Sequence, residues 1–172
     1  MRLVSELRAS KCKDSPEKFK ERLIDRLMVS FEGQTIDDLV TVPDEAMRFC
    51  ELIRQEIGGA DLCDAAILKA LMNIRRSKNC PQGLKSRLTR TNWSQFIEDA
   101  GIDLEPERFY EVLVEGLTSM YRESTVDEML CHPVEAKSYC DYIRKCLGNS
   151  ALADETLLRP LLNYRKRPKL RS

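Results

Sequence analysis

Residue types that support catalysis are sparse in this sequence, and they concentrate in one short stretch. Cys131 and His132 are adjacent, Cys140 and Cys146 follow, and His132 is the sole histidine of the chain. An enzyme centred on His132 would use the imidazole as a base for Cys131 or Cys140. The ordinary interpretation is that His132, which immediately precedes Pro133, lies at the start of a helix. We therefore expect no catalytic residues.

Metal and cofactor binding have equally little support in the sequence. The intervals of nine and six residues between Cys131, Cys140 and Cys146 lack the close pair of ligands on which structural zinc sites are built. None of the seven glycines belongs to a dinucleotide-binding or phosphate-binding loop pattern. The seven cysteines are odd in number, which favours reduced thiols over a disulfide framework. We expect no metal and no cofactor.

The sequence repeats itself after 90 residues without a gap. Aligned in this way, Pro16 matches Pro106 and Phe19 matches Phe109, and 21 of the 61 positions from 16 to 76 are identical. The period indicates a duplicated unit that is longer than the short repeats of helical solenoids. A feature present in one copy only cannot be essential to the shared fold, so the residues kept in both copies are the more informative ones.

Four of the polar residues that are identical in both copies form a candidate repeated site. They are Asp37, Arg54, Asn73 and Arg75, matched by Asp127, Arg144, Asn163 and Arg165. One interpretation is a repeated ligand or partner site. The structural interpretation, which we favour, is that the aspartate of a capping turn pairs with an arginine of the following helix, while asparagine and arginine bond helix-end carbonyl groups.

Two basic segments form a candidate surface for nucleic acid. The net charge is zero, yet residues 65–97 carry seven basic and no acidic side chains. The candidate basic surface consists of Lys69, Arg75, Arg76, Lys78, Lys85, Arg87, Arg90, Arg165, Lys166, Arg167, Lys169 and Arg171. Such residues can neutralise phosphates. The zero net charge and the large acidic segments instead favour pairing between the basic end of one copy and the acidic start of the other.

Helical periodicity runs through the segments that must position these candidates. Prolines at positions 16, 43, 106 and 133 suit the first turn of a helix, and apolar residues follow at intervals of three and four. Thr35 and Thr125 each begin a Thr-x-x-acid capping pattern, in which aspartate is a weaker match than glutamate. Gly58 and Gly148 suit left-handed helix ends.

Further helices are predicted at both ends of each unit. Residues 2–9 and 92–100 form a short opening helix in the two copies. The last helix of each copy begins near Asp64 or Asp154, with the aspartate as N-cap. Pro160 should kink the second of these helices or delay its start, because proline lacks the N–H that an internal helical position donates.

These elements predict an all-α protein that is a tandem duplication, with four to five helices in each unit and the two units packed with pseudo-symmetry. The predicted organisation is helical repeat unit 1 over residues 1–78, a linker over 79–91, helical repeat unit 2 over 92–167 and a basic tail over 168–172. No apolar run approaches the roughly 18 residues of a membrane helix, and the charged N-terminal residues are unlike a signal peptide. We expect a cytoplasmic protein without membrane association.

For function, the sequence predicts a non-enzymatic helical module that binds or scaffolds a protein partner. The alternatives are a nucleic-acid-associated protein that uses basic segments 69–90 and 165–171, and an enzyme centred on His132. The distribution of charged residues on the surface discriminates between the protein-binding and the nucleic-acid-binding hypotheses. Basic segments that converge on one concave face would favour nucleic acid, whereas basic residues paired with acids of the neighbouring unit would disfavour it.

Overall fold

The described parts of the chain are entirely helical. A computed structural model describes residues 3–58, 61–84, 93–122 and 124–164, and within these ranges there are ten helices and no strand. We call α1–α5 the first half and α6–α10 the second half. The helices are α1 Leu3–Ala9, α2 Pro16–Ser30, α3 Ile36–Val40, α4 Pro43–Ile57, α5 Asp64–Arg76, α6 Trp93–Asp99, α7 Pro106–Met120, α8 Val126–Leu130, α9 Pro133–Leu147 and α10 Asp154–Tyr164.

Proline and glycine set the ends of the long helices, as predicted. The prolines at positions 16, 43, 106 and 133 are the first helical residues of α2, α4, α7 and α9, where a missing N–H costs no intrahelical hydrogen bond. Gly58 and Gly148 end α4 and α9 with φ values of 59° and 64°, a backbone conformation that disfavours residues with a Cβ atom.

The capping patterns before α3 and α8 differ from the sequence expectation. Thr35 and Asp38 form both bonds of a capping box: the Thr35 hydroxyl accepts from the Asp38 N–H at 3.2 Å, and the Asp38 carboxylate accepts from the Thr35 N–H at 2.8 Å. In the second copy only the Thr125 hydroxyl bond to the Glu128 N–H is present. The shorter aspartate therefore completes the box that the glutamate leaves half-formed.

The starts of the last helices differ from the sequence expectation. Asp64 is the first residue of α5 rather than its N-cap, which is Cys63; the Asp64 carboxylate is drawn instead to Arg54. Pro160 does not delay α10, which begins at Asp154, at the position equivalent to Asp64, and continues to Tyr164. The apolar face of α10 is buried around Pro160, and such packing can outweigh one lost backbone hydrogen bond.

The helices pack in a matching pattern within the two halves. In the first half α2 and α3 each contact α4 and α5, which also contact each other, and α1 lies against α2 and α5. In the second half α7 and α8 each contact α9 and α10, which also contact each other, and α6 lies against α7. The helix order and the packing partners of α2–α5 thus recur in α7–α10, although α5 has 13 residues and α10 has 11.

Three helix pairs carry the main contacts between the halves. Helix α4 packs against α9, its own equivalent, while α3 packs against α10 and α5 packs against α8. In the last two pairs, the third helix of one half meets the fifth helix of the other half. Ion pairs also cross between the halves: Arg76 with Asp127, Arg159 with Asp38, and Lys137 with Asp44.

One contiguous apolar core runs through both halves. Phe19 and Phe49 from the first half and Phe109 and Tyr139 from the second are fully buried within it. The Tyr139 hydroxyl donates to the carbonyl oxygen of Leu113 at 2.7 Å, so burial of this polar group is satisfied. Each such side chain contributes roughly 1.5–3 kcal/mol through removal from water. The shared core joins α1–α5 and α6–α10 into one structure.

The segment that was predicted as a linker begins inside this core. Cys80 and Leu84 are buried, and the Leu84 carbonyl oxygen accepts from the Ile36 N–H at 3.1 Å. All seven cysteines lie in the described residues, and none is joined by a disulfide. Within the same residues, no helix has both the length and the apolar character that crossing a membrane requires.

Candidate functional site

The two repeated arginines of α4 and α9 have the same structural role. Arg54 donates from Nη1 to Asp64 Oδ1 at 2.5 Å and to the carbonyl oxygen of Leu62 at 3.2 Å. These bonds tie α4 to the loop before α5 and to the start of α5. In the second half, Arg144 makes the equivalent contacts, donating to the carbonyl oxygen of Leu152 and to the Asp154 carboxylate.

The repeated aspartates pair with arginines of the last helix of the first half, not with the helix that follows them. Arg75 of α5 forms an ion pair with Asp37 of α3 through two nitrogens. Its Nε lies 2.5 Å from Oδ1, and its Nη2 donates to Oδ2 at 3.0 Å. Asp127 of α8 pairs with Arg76. The predicted partner of Asp37 was an arginine of the next helix, but Arg54 is already engaged at Asp64. Sequence proximity does not reveal that α5 folds back over α3.

The basic surface is partly neutralised where the structure describes it. Arg75 and Arg76 are paired with acids of α3 and α8, whereas the exposed Lys69 and Lys78 have no ion-pair partner among the described residues. The other members lie outside the described residues, as does the side chain of Asn163. They are Lys85, Arg87, Arg90, Arg165, Lys166, Arg167, Lys169 and Arg171.

His132 and its neighbouring cysteines are poorly arranged for nucleophilic chemistry. His132 is exposed at the N-cap of α9 and makes no side-chain capping bond. Burial raises the pKa of the Cys131 thiol to about 11 and raises the pKa of Cys140 further, so both thiols hold their protons at neutral pH. No group of three or more metal-ligating residues occurs in the described parts of the chain.

Thiol reactivity should follow this burial. Because its pKa is about 11, roughly one Cys131 thiol in a thousand is ionised at about pH 8. We expect the exposed Cys63 and Cys146 to alkylate with iodoacetamide at least about tenfold faster than Cys131. The Cys131 rate should then rise about tenfold per pH unit until the pH reaches its pKa. Peptide mass spectrometry of the timed reaction measures this order; equal rates in the folded protein would contradict it.

A groove beside α5 is lined by residues of both halves. Two cavities of about 290 and 300 Å³ share the lining residues Ala65, Lys69, Asn73, Glu128 and His132. Helix α5 forms the floor, α1 forms one wall through Leu3 and Glu6, and α8 with the start of α9 forms the other. We call this feature the α5 groove. Its volume lies at the lower end of the range for ligand sites.

Asn73 is the repeated polar residue that the structural interpretation does not explain. Its side chain is exposed, lines both cavities, and forms no hydrogen bond within the described residues. The expected bond to a helix-end carbonyl group is absent from this part of the chain. A carboxamide has both a donor and an acceptor group available. The retention of asparagine at position 163 was the sequence signal for this site.

Three charged side chains of the α5 groove have no ion pair with described residues, unlike the charges at the equivalent place in the second half. Lys69 and Glu128 form no ion pair with described residues, and neither does Glu6 on the α1 wall. The residues equivalent to Lys69 and Glu128 are joined, because Arg159 pairs with Asp38. Arg159 also contacts Glu155 at 3.0 Å. The two halves therefore differ in the charges that they leave available.

Comparisons with known proteins provide no relative for this chain. No family model, curated protein or solved structure matches it. The class of protein that the fold and the groove define is therefore an all-α helical protein with a partly apolar groove between its halves.

Proposed function

We propose that this protein is a non-enzymatic protein–protein interaction module, and that a segment of a protein partner binds in the α5 groove. The observation that carries the proposal is Asn73, a polar residue kept in both copies that is exposed in the groove without a hydrogen-bond partner among the described residues. The other members of the candidate repeated site whose side chains are described are engaged in intramolecular ion pairs: Asp37, Arg54, Arg75, Asp127 and Arg144.

We further infer that the scaffold is a tandem duplication with pseudo-symmetry. Support comes from the equal offset of 90 residues between the first residues of all five helix pairs and from the exchange of α3, α5, α8 and α10 across the halves. An interface of this kind places equivalent surfaces next to each other. The α5 groove lies at one such contact, between α5 and α8, so partner binding depends on both units being assembled.

The lining of the groove suits a protein segment. Ala65, Ala66 and Ala70 provide a floor of small apolar side chains, and Lys69, Asn73 and Glu128 provide polar groups above it. Protein-binding surfaces combine such an apolar centre with a polar rim. The small floor residues leave room for apolar side chains of the partner, and the rim groups can bond its backbone.

Filling the groove should abolish partner capture. We expect the Ala65→Trp variant to lose the proteins that the unsubstituted chain retains from an extract of its source cells, because the indole would occupy both cavities. Glu155→Trp is the matched control, since it introduces the same side chain at the equivalent position of the second half. Quantitative mass spectrometry of the retained proteins measures both. Identical retention by the two variants would count against the groove as the binding site.

The nucleic-acid alternative keeps one favourable observation, the exposed and unpaired Lys69 and Lys78 at the end of a segment without acids. The pairing of Arg75 with Asp37 and of Arg76 with Asp127 counts against nucleic-acid binding, because it neutralises two of the basic residues. Binding to RNA or DNA that falls steeply with salt and is reduced by deleting residues 165–172 would support this alternative. Absence of binding at low salt would remove it.

A further inference from the structure

We propose that the ligand of the α5 groove is an extended peptide segment of another protein. Asn73 forms hydrogen bonds with the main chain of this segment, and Glu6 and Glu128 pair with one of its basic side chains. This inference rests on the proposed function and specifies the partner of the same site.

The shape of the groove fits an extended chain. The two cavities adjoin along α5, and Lys69 and Asn73 line both of them, so these side chains stand between the two spaces. In an extended peptide, side chains two residues apart point to the same side at a separation of roughly 7 Å. One such peptide can place an apolar side chain in each cavity. A helix of about 10–12 Å diameter would instead meet the side chains between them.

Asn73 matches the central peptide unit of such a ligand. Its carboxamide offers an N–H donor and a C=O acceptor side by side, and both are available because the side chain has no partner among the described residues. An extended backbone presents the complementary N–H and C=O groups of a single residue in the same direction. Two hydrogen bonds to main-chain groups recognise the conformation of the ligand irrespective of its side chain at that position.

The unpaired charges favour a basic ligand residue. Glu6 of α1 and Glu128 of α8 belong to opposite walls, and Lys69 is the one cation of the groove without an ion pair among the described residues. Arg76 at the far end is paired with Asp127. Two carboxylates therefore face one ammonium group, and a lysine or arginine of the ligand would balance the excess. Opposite charges at an interface contribute to partner choice and to the association rate.

One peptide should bind per chain. At the equivalent place in the second half, Arg159 already joins Asp38 and Glu155, so its charges are not available to a ligand. Asn163 therefore provides a matched control for Asn73: the same residue type at the equivalent position of the last helix, in a half where the charged groups are engaged with each other.

The test uses a displayed library of random peptides selected on the full chain. We expect selected peptides to carry a lysine or arginine near apolar residues, and to bind with one-to-one stoichiometry by isothermal titration calorimetry. Asn73→Ala should weaken binding about tenfold, the effect of losing two hydrogen bonds of modest net strength, whereas Asn163→Ala should leave it unchanged. Glu128→Lys should weaken binding, and exchanging the basic peptide residue for glutamate should restore it.

Several results would overturn this inference. They are the selection of no peptide, peptides that are indifferent to Asn73→Ala and Glu128→Lys, and peptides whose bound form is helical by NMR. Self-association of the chain through the groove, detected by sedimentation and removed by Ala65→Trp, would identify a second copy as the occupant and also overturn it. If Ala65→Trp still abolishes partner capture in those cases, the interaction module stands and only the peptide chemistry fails. If capture is unaffected as well, both fail.

Discussion

Replacing Arg75 by methionine is expected to lower the free energy of unfolding by about 3 kcal/mol, because the substitution leaves a buried carboxylate without its cation. The side chains of Arg75 and Asp37 are only 18% and 12% exposed, so water cannot take over the role of the guanidinium. Methionine retains much of the aliphatic volume, which limits the change to the loss of charge and hydrogen bonds. Urea denaturation followed by circular dichroism measures the difference.

An exposed ion pair provides the control for this experiment. Arg108 and Glu111 are 53% and 61% exposed, and Arg108→Met is expected to change stability by less than about 1 kcal/mol. The double variant Asp37→Leu with Arg75→Met should recover part of the loss, since it removes the uncompensated charge. If Arg75→Met costs no more than Arg108→Met, the pair is not buried in the way that the structure indicates.

Truncating a central phenylalanine in either half should destabilise the whole molecule by about 3–5 kcal/mol. Phe19 of α2 and Phe109 of α7 occupy equivalent positions and are both fully buried in the shared core. We expect Phe19→Ala and Phe109→Ala to have similar effects, because each leaves a cavity of the same kind. In both variants the transition should remain single, since the core is continuous between the halves.

Two probes can establish whether the halves unfold together. The chain contains a single tryptophan, Trp93, in the second half, while far-ultraviolet circular dichroism reports on all helices. Coincident transitions by the two probes are the expected result for Phe19→Ala, although the substitution lies in the other half. A tryptophan transition that stays at the wild-type midpoint while the circular dichroism transition shifts would show that the halves are independent.

Much of the local structure could be predicted because single residues determine helix ends. Proline at a first helical position and glycine at a left-handed end act through the backbone of one or two residues, so their effect does not depend on distant contacts. Pro43 and Gly58, and equally Pro133 and Gly148, bound helices of the expected extent. The apolar periodicity of α2 likewise identified Phe19, which is fully buried.

Features that depend on tertiary contacts were predicted less well. Asp64 is a suitable N-cap by residue type, but the structure places its carboxylate against Arg54, ten residues away in the preceding helix. Pro160 is a helix breaker by its intrinsic preference, and yet α10 continues through it. In both cases the energy of packing or of an ion pair exceeds the local preference, which the sequence pattern cannot weigh.

The candidate site was predicted in part. The repeat identified Asn73 as one member of the candidate repeated site, but residue type alone did not separate it from Arg54 and Arg75, which form ion pairs within the fold. The α5 groove itself is assembled from α1, α5 and α8, which are far apart in the sequence. No short-range pattern reports how three such helices approach one another, so the cavity had no signature in the chain.

The exchange of equivalent helices between the halves limits how this architecture can evolve. Helix α4 meets α9, and α3 and α5 meet α10 and α8. Each half therefore contacts the other through its own third, fourth and fifth helices. A solenoid keeps one face for the preceding repeat and another for the next, and it can therefore be extended. If the chain is the tandem duplication that we propose, a third unit could not be added in the same way, because the helices that it would contact already contact each other. New binding properties would then arise by divergence of the two units.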